Sequence, residues 1–178
     1  DKYLCDMQEG TRSTVKDMIR KKKVSVNGTI VVRPELKVNT DNDSVCVDGR
    51  QVGYSDYEYY MLNKPQGVVS ATSDLNDKTV IDIIADRKRK DLFPVGRLDK
   101  DTEGLLIITN DGELAHRLLS PKHHVDKVYE AIVKGKIADK YVEEFANGLY
   151  VDSEFTAMPA ELKIISYDDN SDSTHINI

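Results

Sequence analysis

The sequence predicts an α+β protein: a small N-terminal module of helices and hairpins, followed by a larger domain on a mostly antiparallel sheet. Three observations carry this prediction. Strand-like and helix-like runs are mixed without the regular alternation of a parallel βαβ fold. The dipeptides Asn27-Gly28 and Asp48-Gly49 divide short β-branched runs, and Asn-Gly is the strongest two-residue hairpin signal. Charge is also partitioned. Asp1 to Arg33 carries 8 Lys+Arg against 4 Asp+Glu, whereas Lys136 to Ile178 carries 3 against 9.

The elements follow in order. Leu4, Cys5 and Met7 form a short apolar face broken by Glu9-Gly10. Thr11 is placed to cap a helix whose apolar stripe is Val15, Met18 and Ile19. Arg12, Lys16, Arg20 and Lys23 lie off that stripe and make one flank basic. Val24 to Val32 reads as a hairpin about Asn27-Gly28, and Val45-Cys46-Val47 as a further strand ending in a turn. Gly49 to Asp56 has two glycines and no sustained period, and reads as a linker. Beyond it, Tyr57 to Asn63 reads as an aromatic-rich strand and Val80 to Ile84 as a short helix. Arg87 to Lys90 reads as a basic surface turn. Leu105 to Thr109 is expected to be a buried strand, and Leu114, Ala115, Leu118 and Leu119 mark one face of a helix. Lys127 to Val133 reads as a strand, and Tyr141, Val142 and Phe145 mark a helix closed by Asn147-Gly148. Leu162 to Ile165 and His175 to Ile178 read as closing strands.

Composition excludes several classes. The chain has 178 residues, enough for one ordinary domain or two small ones. No apolar run approaches the roughly 20 residues of a membrane helix, and no charged-then-apolar stretch suggests secretion. Two cysteines, Cys5 and Cys46, are too few for a disulfide scaffold. Their apolar surroundings point to small buried thiols in a reducing compartment. The net charge of −6 argues against a nucleic-acid partner only if it is evenly spread. It is not: residues 1–135 balance at 22 against 22, and a local basic patch governs phosphate contact more than the global sum.

The densest chemical run is Gly96-Arg97-Leu98-Asp99-Lys100-Asp101-Thr102-Glu103-Gly104, in which two glycines bracket seven residues, six of them polar. It joins a basic turn to a hydrophobic strand, a frequent setting for functional loops. A solvated turn with a local ion pair is the plainer alternative. Its carboxylates lack a His or Cys partner at ligand spacing, and the doublet His123-His124 points two ways, so a metal site is a poor reading. No phosphate loop and no nucleophile elbow is present.

Two resemblances sharpen this. Leu4 to Val47, with Thr11-Arg12-Ser13, Ile19, Val24 and Val26-Asn27-Gly28, resembles the RNA-binding module named after small-subunit ribosomal protein four, the alpha-L module. It implies RNA contacts by Arg12, Ser13, Lys16, Arg20, Lys21, Lys22, Lys23 and Asn27. Lys22 stands where that module usually has Gly, because the chain there turns through positive φ. Next, Gly96-Arg97-Leu98-Asp99, Thr102-Glu103-Gly104-Leu105-Leu106 and Thr109-Asn110-Asp111-Gly112 resemble the signature of pseudouridine synthases of the RsuA branch. Met61 to Val68 is similar to that family's first motif and Lys127-Val128-Tyr129 to the motif of its base-stacking tyrosine. Ser120 to Tyr129 looks most like members that modify 16S ribosomal RNA; relatives acting on large-subunit RNA tend to differ there.

The resemblance implies a catalytic Asp99, acting on the sugar or on the base of a flipped-out uridine, and a substrate site that includes Arg97, Leu98 and Tyr129. Arg97 would pair with Asp99 or fill the gap left by the flipped base; Leu98 would pack inward; Lys64 would contact phosphate, as would the Arg87-to-Lys90 turn unless it is simply solvated. No cofactor and no metal is implied, and the expected partner is ribosomal RNA, for a cytoplasmic monomer. The expected division is an RNA-binding module at 1–52, a linker at 53–57 and a catalytic domain at 58–178. The chain begins without Met and stops at Ile178, before the family's last basic motif, so it reads as a fragment whose own activity is in question. A non-catalytic RNA-binding assembly factor, a synthase acting on 23S ribosomal RNA and an inactive truncation product remain as alternative readings.

Overall fold

Thr11 caps the second helix: its Oγ1 accepts the N–H of Thr14 at 3.3 Å. In the computed structural model, which describes residues 1–123, 125–153 and 155–178, this helix is α2 (Arg12–Arg20), preceded by α1 (Lys2–Asp6). Leu4, Cys5 and Met7 of the first apolar face are all buried with Val15 and Ile19, while Cys46 is half-buried. Strands β1 (Val24–Val26), β2 (Thr29–Ile30), β3 (Val45–Val47) and β4 (Arg50–Val52) form an antiparallel sheet in the order β2-β1-β3-β4. Asn27-Gly28 and Asp48-Gly49 both turn through positive φ, at 50° and 78° and at 48° and 80°, as the tight hairpins require. The second of these turns corrects the linker reading. Arg50–Val52 is not irregular but pairs with β3, and buries Val52 in the module core.

The end of α2 explains the position of Lys22. Its N–H donates to the carbonyl of Ile19 at 3.0 Å, and the N–H of Lys23 donates to that of Met18 at 3.0 Å. This is a Schellman closure, which needs a left-handed residue between them. Lys22 supplies it at φ 59°, at a cost that glycine would not carry. Lys22→Gly is therefore expected to stabilise the fold by ~0.5–1 kcal/mol in urea unfolding.

The chain forms two compact units, Asp1–His124 and Val125–Ile178. Within the first, β5 (Tyr59–Lys64), β6 (Phe93–Val95) and β7 (Gly104–Thr109) form an antiparallel sheet with β7 central. Leu106 and Ile108 are buried from its inner face with Val68, Val80, Ile81 and Leu92. Leu105, on the other face, is exposed, so β7 is buried on one face and not throughout. The helix expected at Val80–Ile84 is a series of turns. Thr79 and Asp82 bond each other as a helix start would, the Thr79 N–H donating to Asp82 Oδ2 at 2.8 Å. Four of the five residues that follow Thr79 are β-branched, a poor composition for propagating so short a helix. Asp86, at φ 56°, then turns the chain away.

Helix α3 (Gly112–Leu119) follows β7 directly. Asp111 caps it, accepting the Leu114 N–H at 2.9 Å and the Tyr59 hydroxyl at 2.8 Å. The Leu114 N–H, then the Tyr59 hydroxyl, hold its carboxyl below the usual carboxylate range. Because the folded pKa is depressed, the linked stabilisation is complete above the unfolded value of about 3.9 and disappears as pH falls through the lower folded value. Asp111→Asn, which keeps a capping oxygen, is expected to flatten the acid limb of a Tm-versus-pH curve, and Asp111→Ala to lower Tm at neutral pH. A 3₁₀ turn, Pro121–His123, ends this unit's described part; His124 of the expected doublet lies outside the described residues.

The second unit holds β8 (Glu130–Lys134), α4 (Lys140–Asn147), β9 (Lys163–Asp168) and β10 (Ser173–Asn177). Its antiparallel sheet has the order β8-β10-β9, with a bulge at His175/Ile176. The strand expected from Lys127 begins at Glu130 instead. Tyr129 is nonetheless tied in, exchanging backbone hydrogen bonds with Ile178 at 2.8 and 2.9 Å. Gly148 closes α4 at φ 93°, where a Cβ would meet the Ala157 carbonyl at 2.8 Å.

Candidate active site

Gly96 and Gly104, at φ 91° and 127°, let the chain leave β6 and enter β7 around a wide loop. The loop's backbone is fixed from three sides. Ser70 Oγ donates to the Leu98 carbonyl at 2.7 Å and accepts the Leu98 N–H at 3.0 Å. Gly67 N–H donates to the Lys100 carbonyl at 2.8 Å. The third anchor is Lys64, at the end of β5 opposite Gly104. Its ammonium donates to the carbonyls of Asp99 and Thr102 at 2.8 Å each, of Pro65 at 3.2 Å and of Lys100 at 3.3 Å.

This corrects the expectation for Lys64. The residue is 0% exposed and so is not a phosphate contact. Its three donors are spent on carbonyls that converge where the loop turns back, which an ammonium satisfies and an apolar side chain cannot. A lysine next to Pro65-Gln66-Gly67 carries no burial signal of its own; the sequence sign, read afterwards, is its place as the last inward residue of an alternating strand.

Asp99 itself is exposed, as is Arg97, and Leu98 is half-buried against the core of Val68, Val80 and Leu106. Among the described residues neither Asp99 nor Arg97 makes an ion pair, so the suggested Arg97–Asp99 pair is not formed. The loop thus presents a solvent-accessible carboxylate from a backbone that cannot easily move. Lys100 points elsewhere, to Asp77 at 2.7 Å. Tyr129 lies in the second unit, 45% exposed, with its backbone held by Ile178.

Residues 58–176, which include the whole Asp99 loop and its three anchors, match the RNA pseudouridylate synthase family. The chain belongs to the RNA pseudouridine synthase family. As a member it is an isomerase that converts uridine to pseudouridine in RNA. The YtzG protein of Bacillus subtilis, named an uncharacterized RNA pseudouridine synthase, is 40% identical over all of this chain and 75% of its own length. Ribosomal large subunit pseudouridine synthase B of Bacillus subtilis is 36% identical over 94% of this chain and 68% of its own. Ribosomal small subunit pseudouridine synthase A of Escherichia coli K12 is 35% identical over 93% and 72%. A crystal structure of a pseudouridylate synthase superposes with a TM-score of 0.59 at 28% identity, covering 99% of this chain and 75% of that one.

The basic residues of the pseudouridine synthase's N-terminal module divide by their partners. Lys21 pairs with Asp17 at 2.8 Å and Lys23 with Asp48 at 3.0 Å. Asn27 is committed to structure: its Nδ2 donates to Asp43 at 2.9 Å and its Oδ1 accepts the Ser44 N–H at 2.9 Å. Ser13 bonds the Thr11 hydroxyl at 2.9 Å. Arg12, Lys16, Arg20 and Lys22 make no ion pair among the described residues, and the first three, four residues apart, share one flank of α2. Among the described residues no helix is long and apolar enough to cross a membrane.

Proposed function

We propose that this synthase isomerises one uridine of ribosomal RNA, in the small-subunit 16S molecule, with Asp99 as the catalytic residue. The observation that carries the proposal is the Asp99 loop: an exposed carboxylate, without an ion pair among the described residues, on a backbone held by Ser70, Gly67 and the buried Lys64 ammonium. Relatives of comparable identity bear the names of large-subunit and small-subunit synthases. The choice of 16S RNA rests on the run Ser120 to Tyr129, of which His124 is outside the described residues.

The target base leaves its stack to reach the carboxylate. Asp99 then acts as nucleophile or base at the sugar or the uracil. The C1′–N1 bond breaks, the uracil turns, and a C1′–C5 bond forms while C5 loses its proton and N1 gains one. No external reactant and no cofactor enters this balance. Tyr129 stacks on the uracil, a contact worth about 1–3 kcal/mol per base, Leu98 backs the substrate site, and Arg97 occupies the gap in the stack. Arg12, Lys16, Arg20 and Lys22 hold phosphates. The functional division is a module at 1–52, a linker at 53–57 and a catalytic domain at 58–178, supported by the family match that begins at residue 58. The enzyme works as a cytoplasmic monomer.

Tritium release from transcripts made with 5-tritiated uridine tests the substrate. Unmodified 16S transcript is expected to release one equivalent and 23S transcript none; release from 23S alone would refute the assignment.

A further inference from the structure

A cavity of about 340 Å³ opens at the seam between the N-terminal module and the β5-β7-β6 sheet, lined by Glu9, Arg50, Tyr54, Ser55, Arg87 and Lys88 among others. Its volume is at the small end of ligand sites. The wall formed by residues 87–89 is built, not merely solvated. Glu58 accepts the N–H groups of Lys88 at 3.2 Å and Arg89 at 3.0 Å. From the opposite side, Gln8 Nε2 donates to the carbonyls of Arg87 and Arg89, each at 2.9 Å. Arg89 is buried, forks onto Asp91 at 2.9 and 2.7 Å, donates to the Ser55 carbonyl at 3.0 Å and lies 5.6 Å from the centre of the Tyr54 ring. A turn bonded through amides, carbonyls and a buried guanidinium holds the backbone from which its remaining cations project, so less of the chain is left to order at the moment of binding.

The charge balance of the cleft is positive. Both oxygens of Glu9 accept from Arg50 Nη2, at 2.8 and 2.7 Å, and the Glu9 side chain is only 15% exposed against 65% for Arg50. The carboxylate is therefore neutralised and turned inward, while the guanidinium keeps other N–H donors toward solvent. Arg87 donates to the Ile81 carbonyl, and Lys88 has no ion-pair partner among the described residues. Three cations around one neutralised carboxylate are suited to a phosphodiester.

We propose that this cleft binds one phosphodiester unit of the substrate RNA, with Arg50 and Lys88 as the contacts and Arg87 as support. The proposal rests on the RNA synthase reading and adds a contact where the N-terminal module meets the domain that carries Asp99. Glu58, Gln8 and Arg89 are then positioning residues for the phosphate site.

Fluorescence anisotropy with end-labelled, unmodified 16S transcript, over a salt titration, tests it on the full chain. Loss of one phosphate contact reduces the slope of log K against log salt by ~0.7–0.9 and weakens binding by several-fold. Arg50→Gln/Lys88→Gln is expected to show both changes. Lys88→Gln alone, an exposed change that leaves the Arg50–Glu9 pair intact, is expected to show a smaller weakening. Lys140→Gln in the acidic second unit is the control and should match the parent. A parent that binds RNA, with both variants equal to it in slope and affinity, overturns the phosphate site alone. A parent that binds no RNA overturns the site together with the synthase reading. Equal unfolding midpoints for parent and variants separate lost contact from lost fold.

Discussion

Asp99→Asn is expected to abolish pseudouridine formation, lowering the rate by at least about 10³-fold, while leaving the unfolding midpoint within about 1 °C of the parent. The two halves of that expectation have different origins. The chemistry needs a carboxylate that can attack or take a proton, and an amide of the same shape does neither. The fold does not need it: Asp99 is exposed, and the contacts that hold its loop are made by its carbonyl and by its neighbours. Binding of 16S transcript should persist in the variant. An Asp99→Asn protein that still released tritium at the parent rate would remove Asp99 from the chemistry.

Lys64→Met has the opposite signature, a large stability loss that carries activity with it. The ammonium is fully buried and serves four backbone carbonyls. Methionine has similar length and no donor, so those carbonyls lose a charged partner, and hydrogen bonds to charged groups contribute about 1.5–3 kcal/mol each at most. Because solvent can reach part of the relaxed loop, a total near 2–4 kcal/mol is expected by urea unfolding. In protein that remains folded, the loop is freed at Asp99, and a misplacement of about 1 Å costs on the order of 10²-fold in rate. Lys64→Arg should not restore either property, since a planar fork cannot reproduce the convergent donors of an ammonium. A stable, active Lys64→Met protein would show that Ser70 and Gly67 alone position the loop.

These two residues also mark what could and could not be read without coordinates. Asp99 stands in a run whose glycine brackets and polar density single it out, and the motifs around it are contiguous in sequence. Lys64 sits in an equally visible motif, yet its role lies in contacts with carbonyls more than thirty positions away, so it reads as one more surface cation. Local signals performed well where the chain decides locally. Thr11 caps its helix, and Asn27-Gly28 and Asp48-Gly49 turn hairpins. They failed where tertiary partners decide. Arg50–Val52 is a strand because β3 offers an unpaired edge, and Val80–Ile84 is not a helix because its apolar residues fill the sheet's core through turns. The left-handed Lys22 lies between: the residue expected there was glycine, and the geometry that would favour glycine is present. Charge sums told less than charge positions. The second unit carries 11 acidic and 5 basic side chains, and the first is balanced at 20 and 20.

The central claim is tested most directly by mapping pseudouridine at single-nucleotide resolution in ribosomal RNA from cells that lack this gene. The expected result is the loss of one site in 16S RNA, restored by the parent gene and not by Asp99→Asn. Unchanged 16S RNA, or loss of a site in 23S RNA instead, would contradict it.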